Sequence, residues 1–389
     1  MKNFEISKGA SFVLARLKEA GFSAYLVGGC VRDFVMGKTP HDFDITTSAT
    51  PDEMLEIFSD VTTFKSGVTH GTVGVHIQGE NVEATTFRAD GEYVDHRHPE
   101  SVIFSRELRD DLSRRDFTMN ALAFSENSIT DLFGGIADIE KSVIRCVGQP
   151  EKRFEEDALR ILRALRFSSV LDFDIHPETS HAIDEKKELL TFISRERVAT
   201  EFIKLLTGKR RGQVISDYAC VFDVLFKEAN PDVRAIQRAE TGDIALAVFF
   251  AKSEYYKENI LSLKLPKNQR DNLISAIEIF KSEISDTREG IKKLILEKGE
   301  ERVALALGVA KAFDGDEKRE EYFSDLLQSG ECITLDSLKI KGRDIVALGV
   351  TPSAEIGVIL KRILDKVNTG TIPNDRETLI EMVKRDIEV

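Results

Sequence analysis

Four cysteines in 389 residues, Cys30, Cys146, Cys220 and Cys332, form no CxxC pair. A disulfide framework and a zinc site therefore have no basis here, and such usage suits a reducing cytoplasm. No run of eighteen apolar residues occurs, so no membrane span is expected. The start, Met1-Lys2-Asn3-Phe4-Glu5, lacks the apolar core of a secretion signal. A positive charge balance is missing too: 54 Lys and Arg face 67 Asp and Glu, a formal net charge of -13. Non-specific binding of nucleic acid is disfavoured by that balance, because neutralising phosphate takes local Lys and Arg. Any such partner must meet a basic surface that the bulk count hides. Internal repeats and low-complexity linkers are absent as well. What is present supports real cores: the hydrophobic fraction is 42%, and a chain this long is expected to form two to four compact units.

The first 140 residues or so mix helix and strand signals. Residues 11–20 read as an amphipathic helix, and β-rich runs follow at 24–27, 43–46, 73–77, 81–88 and 101–104. Between them Thr50, Pro51 and Glu53 take the N-cap, N1 and N3 positions of a helix start. Past Gly148-Gln149-Pro150 the strand signal vanishes. The remainder has helical periodicity, broken at 208–212, 230–231, 265–267, 313–316 and 370–374. The fold class expected is α+β: a head with a small mixed sheet, then an all-helical remainder.

Asp42 and Asp44, in His41-Asp42-Phe43-Asp44-Ile45, alternate with apolar residues. On a strand both carboxylates would share one face, roughly 7 Å apart. Such a pair can hold Mg²⁺ ions that clamp the attacking and leaving oxygens of a phosphoryl or nucleotidyl transfer. A solvated strand end is the plainer explanation of two acids alone. Upstream, however, Gly28-Gly29-Cys30-Val31-Arg32-Asp33 joins a strand to a helix, where glycines let the backbone approach phosphate and Arg32 adds charge. Arg114-Arg115-Asp116-Phe117-Thr118-Met119-Asn120 suits a triphosphate contact with ribose-hydroxyl recognition, or a helix start capped by Asp116.

The segment from Glu155 to Phe167 reads as one helix carrying Asp157, Arg160, Arg163 and Arg166 in a slowly winding polar stripe. An exposed, salt-bridged face explains that pattern. A sharper reading pairs Asp157 with an exocyclic amine and Arg160 with the ring acceptor beside it. Cytosine and adenine offer that edge, whereas uracil and guanine place a carbonyl oxygen against the carboxylate. The stretch 88–99 holds His96 and His98 but reads as a charged loop rather than a metal site. Glu83 is open between a third carboxylate near the metals and an Arg partner.

In this order the segments LVGGCVRD, DFDITTSATP, RRDFTMNA, LFGGIADIE and FEEDALRILRALRF resemble the class II tRNA nucleotidyltransferase and bacterial poly(A) polymerase family, within the DNA polymerase beta-like superfamily. Residues 193–206 are similar to the next family motif, and 340–349 look like the tail of its Gram-positive-type members. The resemblance implies a polymerase beta-like nucleotidyltransferase head at 1–138, a helical neck that reads the base at 139–207, a helical body at 208–290 and a tRNA-binding tail at 291–389. It implies Asp42 and Asp44 as catalytic Mg²⁺ ligands. Gly28, Gly29, Arg32 and Arg115 would contact the nucleotide, with Asp116 and Asn120 on the ribose side. Glu156, Asp157 and Arg160 would read the base, supported by Arg163 and Arg166. Ala158 replaces a common proline without consequence for the helix.

The activity implied is template-independent addition of CCA to the 3' end of tRNA from CTP and ATP, with release of diphosphate, in the cytoplasm and with no obligatory protein partner. The full-length loop between 88 and 114 favours A-addition as part of that activity. Addition of A alone is the alternative, poly(A) synthesis a weaker one, and a catalytically silent RNA-binding protein the alternative of a different class. An acidic chain would bind tRNA along one face, through clusters such as Lys209-Arg210-Arg211.

Overall fold

Ser7 opens the first helix by accepting a hydrogen bond from the Ala10 N–H at 3.2 Å. Ala10, Val13, Leu14 and Leu17 then fall on one buried face, at the spacing of a helix laid on a sheet. The computed structural model describes residues 5–40, 42–89, 103–329, 331, 335–351 and 354–387, so His41, His96, His98 and most of the charged loop lie outside the described residues. The chain divides into two compact units, residues 1–227 and 228–389.

The first unit begins α1 (Lys8–Glu19), β1 (Ala24–Val27), α2 (Gly29–Val35), β2 (Asp44–Thr47), α3 (Pro51–Ile57), β3 (Thr62–Phe64), β4 (Thr72–Ile77) and β5 (Glu80–Thr86). Next come β6 (Arg88–Ala89), β7 (Ile103–Phe104), α4 (Leu108–Ser113), β8 (Leu122–Ser125), β9 (Ser128–Asp131), α5 (Gly135–Glu140) and β10 (Val143–Ile144). The sheet has seven strands in the order β3-β4-β5-β2-β1-β8-β9. Only β2 and β5 run parallel within it, and the other pairs are antiparallel. The expected capping box is formed: Thr50 accepts from the Glu53 N–H, and Glu53 accepts from the Thr50 N–H at 2.6 Å.

Strand alternation decides which side chains meet the cleft. Along β5, Val82, Ala84 and Thr86 are buried while Glu83 is exposed; along β2, Ile45 is buried and Asp44 exposed. Two expectations need adjustment. The strand expected at 43–46 starts at Asp44, so Asp42 precedes it rather than sharing its pleat. The run expected at 81–88 ends at Thr86, and β6 leaves the sheet to pair with β7.

The helical part of this unit is α6 (Pro150–Glu156), α7 (Leu159–Leu171), α8 (Pro177–Lys186), α9 (Arg195–Leu206), α10 (Arg211–Asp217) and α11 (Ala219–Leu225). A strand β11 (Asp174–Ile175) lies in parallel with β10. Its two residues are too few to show any periodicity in the sequence.

Among the described residues the second unit is built of helices and their connections. Thr241 caps Gly242–Ala251, a helix buried over Ala245–Ala251 that packs against Lys267–Lys281 and Glu300–Asp314. A second cluster, with Leu338, Ile340, Ile345, Ile363, Leu364, Leu379 and Val383, forms the core near the C-terminal end. Among the described residues no helix is long and apolar enough to cross a membrane.

Candidate active site

β1 ends at Val27, and Gly28 turns the chain into α2 with φ +74°, a conformation that favours glycine. A Cβ at Gly28 would stand 3.0 Å from Arg115 Nη1 and 4.0 Å from Asp44 Oδ2. Close approach as well as backbone conformation therefore selects the missing side chain. Register brings the acids here: Asp44 is opposite Val27 on one side and Glu83 on the other. Arg115 is held by Asp111, which sits fully buried and also binds Arg114 and accepts from Thr46 Oγ1 at 3.2 Å. Burial works to raise the Asp111 pKa, but Arg115 and Arg114 outweigh it and hold the carboxyl below its ordinary value.

Asp44 has the opposite balance. Although Asp44 is open to the cleft, the protein around it takes away part of its water and pushes its pKa up, Arg115 pulls it down, and the neighbouring charge of Asp42 pushes it up again; the net direction is upward. A divalent cation would relieve that crowding of negative charge. Among the described residues no three His, Cys, Asp or Glu side chains gather closely enough to hold a metal, so Glu83 does not complete a protein-only set. The donor chemistry still fits Mg²⁺, which is commonly held by one or two carboxylates with substrate phosphate and water filling the rest.

Behind this rim lies a buried relay of charge. Arg32 donates from Nη1 to Asn120 Oδ1 at 2.9 Å, and Asn120 donates from Nδ2 to Asp116 Oδ1 at 3.0 Å. The Phe117 N–H meets the same Asp116 oxygen at 2.8 Å, while Oδ2 takes Arg163 Nε and Nη2 at 2.8 and 2.6 Å. All the acceptor positions of Asp116 are thereby used, so it anchors its neighbours instead of presenting a free oxygen. Burial would raise its pKa, yet the Arg163 charge and the Asn120 hydrogen bond bring it down to about 2. Arg166 pairs with buried Glu201 at 3.0 Å. Arg166, Arg32 and Arg163 surround the Phe167 ring at 4.1, 5.2 and 5.4 Å from its centroid.

The helix expected from Glu155 to Phe167 is interrupted. α6 ends at Glu156, Asp157 is extended (φ -146°, ψ 100°), and α7 begins at Leu159. Asp157 is therefore off the stripe carried by Arg160, Arg163 and Arg166. Aspartate stabilises such a break because its side chain can serve an orphan backbone donor, and here Oδ1 accepts from the Leu159 N–H at 3.1 Å. Arg160 is fixed separately, donating to Glu156 at 2.7 Å and to the Arg114 carbonyl at 2.8 Å. Buried Glu156 also pairs with Arg153.

Two adjoining clefts share Asp44, Arg115, Asp116 and Arg163. One reaches Gly28, Gly29, Arg32, Asn120, Arg166 and Phe167; the other reaches Glu83, Asp157 and Arg160. Neither is lined by Asp42 or Glu156, which lie beside Asp44 and behind Arg160 respectively. The first cleft carries five cationic side chains, Arg32, Arg115, Arg163, Arg166 and Lys204, against two carboxylates, Asp44 and Asp116. That excess suits a polyanion and answers the puzzle of the acidic total. Lys204 was not expected there; its spacing of three and seven residues from Glu201 and Arg197 on α9 was the available signal. Asp111 was also missed, although its i+3 and i+4 arginines are visible in the sequence. Arg210, in the basic cluster expected to meet RNA, is ion-paired with Asp174 at 2.8 Å.

The mixed sheet, the paired aspartates and the cationic cleft define a head of the nucleotidyl-transferring class. Residues 24–145 match the family described as Poly A polymerase head domain. Residues 172–217 match the probable RNA and SrmB-binding site of polymerase A, and 237–383 the putative tRNA nucleotidyltransferase domain 2. A CCA-adding enzyme of Levilactobacillus brevis is 36% identical over 384 residues, covering 95% of this chain and 96% of the relative. One from Ligilactobacillus salivarius is 36% identical over 401 residues, covering 98% and 97%. The crystal structure of the Bacillus stearothermophilus CCA-adding enzyme in complex with CTP aligns with TM-score 0.76 and 31% identity, over 97% of each chain. The chain belongs to the class II tRNA nucleotidyltransferase and poly(A) polymerase family, among its CCA-adding enzymes.

Proposed function

We propose that this chain completes the whole CCA end of tRNA, taking two C from CTP and one A from ATP in the cytoplasm. The observation that carries the chemistry is the cationic cleft opening directly onto Asp44. Arg32, Arg115, Arg163 and Arg166 bind and orient the triphosphate, whose charge compensates the crowding of Arg32, Arg163 and Arg166 around Phe167. Gly28 and Gly29 keep the approach free of side chains. Asp116 and Asn120 hold Arg163 and Arg32 in place on the ribose side. Asp157 accepts from the exocyclic amine of C or A while Arg160, steadied by Glu156, donates to the ring nitrogen beside it.

Asp42 and Asp44 are the residues that would hold Mg²⁺. When bound, the metal supplies activation of the tRNA 3'-hydroxyl and neutralisation of charge on the departing diphosphate. The new bond joins that hydroxyl oxygen to the α-phosphorus, and the bond to the β-phosphate oxygen breaks. The finer division into head (1–138), neck (139–207), body (208–290) and tail (291–389) belongs to the same proposal, with tRNA gripped by the tail.

The test supplies tRNA ending before CCA, with Mg²⁺ and CTP, ATP or both. CTP alone should yield a CC end, and both together a complete CCA end. No addition, or addition of A only to a CC end, would sink this reading.

A further inference from the structure

Asp157 stands in a break between two helices, where no helical geometry fixes its side chain. Its carboxylate is held by a residue forty positions on. Arg197, in the first turn of α9, donates from Nη1 to Oδ1 at 3.2 Å and from Nη2 to Oδ2 at 2.8 Å. We propose that Arg197 is a positioning residue for base choice: it fixes the direction in which Asp157 accepts. The inference rests on the reading of Asp157 as the base-reading carboxylate.

The lone pairs of the carboxylate show why. Oδ1 serves both Arg197 and the Leu159 N–H, which uses its two acceptor positions. Oδ2 serves Arg197 alone and keeps one position free. The planar fork of a guanidinium grips both oxygens at once, so the carboxylate cannot rotate about its bond to Cβ without losing a hydrogen bond. One lone pair of fixed direction remains, in the cleft that Asp157 lines with Arg160. An exocyclic amine satisfies it. A carbonyl oxygen of uracil or guanine would set lone pair against lone pair.

A freely rotating carboxylate could turn aside and admit a bridging water, losing that discrimination. Stability is a weak reason for the pair, because the two side chains are 26% and 21% exposed and such partly solvated bridges contribute little. A lysine at this position would keep the charge but, as a point donor, could not grip both oxygens.

The experiment compares single-turnover kcat/KM for CTP against UTP, and for ATP against GTP, in full-length Arg197→Met, Arg197→Lys, Asp157→Ala and the Arg197→Met/Asp157→Ala double variant. tRNA binding and thermal melting are followed in each. Arg197→Met should raise the UTP-to-CTP ratio about tenfold, with tRNA binding unchanged, and Arg197→Lys should fall between it and wild type. In the Asp157→Ala background the Arg197 change should move the ratio no further. An equal fall for all four nucleotides in both Arg197 variants, with ratios unchanged, would reduce Arg197 to a structural brace and overturn the proposal. The proposal fails equally if Arg197→Met still shifts the ratio when Asp157 is absent. Should Arg197→Met fail to fold, Arg197→Lys decides by the same criteria. An unchanged ratio in Asp157→Ala is a separate result: it removes Asp157 from base reading altogether.

Discussion

Arg163 on α7 donates from both Nε and Nη2 to a single oxygen of Asp116, at 2.8 and 2.6 Å. The other Asp116 oxygen is taken up by Asn120 and by its own chain at Phe117. This one carboxylate ties the helix behind the cleft to the segment that carries Arg115. Geometry in the cleft therefore depends on a residue with no acceptor position left for a ligand.

Stability should report that tie as a function of pH. Outweighing the effect of burial, Arg163 and Asn120 bring the Asp116 carboxyl down to about 2 in the folded protein, against an ordinary value of ~3.9. The folded value is the depressed one, so the contribution is complete above the unfolded value and fades as pH falls from about 4 through about 2. Asp116→Asn should cost ~2 kcal/mol near neutral pH. The gap from wild type, measured by denaturant unfolding, should close on acidification through that window. A gap independent of pH would mean that the charge is not what matters.

Asp42→Ala should cut nucleotide incorporation by at least about a hundredfold, the scale seen when one electrostatic element of a reaction site is removed. Binding of tRNA, followed by filter retention or fluorescence anisotropy, should survive. Loss of binding would make the acid structural.

Gly28→Ala forces a side chain into a backbone with φ +74° and ψ -131° and against Arg115 Nη1. The backbone cost should be ~1–3 kcal/mol, with activity falling further than stability does. Gly37→Ala is the control, since it has φ +72° but nothing within 4 Å of the new Cβ. Equal activity losses in the two variants would show that backbone strain, not the Arg115 contact, is responsible.

Lys204→Ala should raise the KM for CTP and ATP by about fivefold, as loss of ~1 kcal/mol of attraction between exposed charges implies. The effect should shrink with added salt, and kcat should change little. A KM that does not move would place Lys204 outside the nucleotide site.

Much of this site was legible along the chain because its information is local. The capping box of Thr50 and Glu53 depends on residues three apart, and the Gly28-Gly29 turn on the end of one strand. Arg160, Arg163 and Arg166 recur on consecutive turns of α7, so their common side followed from helical spacing. The break at Asp157 was not legible. FEEDALRILRALRF is rich in helix formers with Asp157 as its one weak interior position, and the guanidinium that pairs with Asp157 sits on another helix.

Sequence by itself determined the class of fold, the acids and arginines that could meet a nucleoside triphosphate, and the family to which the chain belongs. Each of these is written in residue type and short spacing. Only the tertiary structure decided that Asp44 stands beside Glu83, that Asp111 holds Arg115, that Asp116 is fully engaged, and that Arg197 grips Asp157. Those are pairings between distant segments: strand register and side-chain partners are set by packing the whole unit, and no local pattern encodes them.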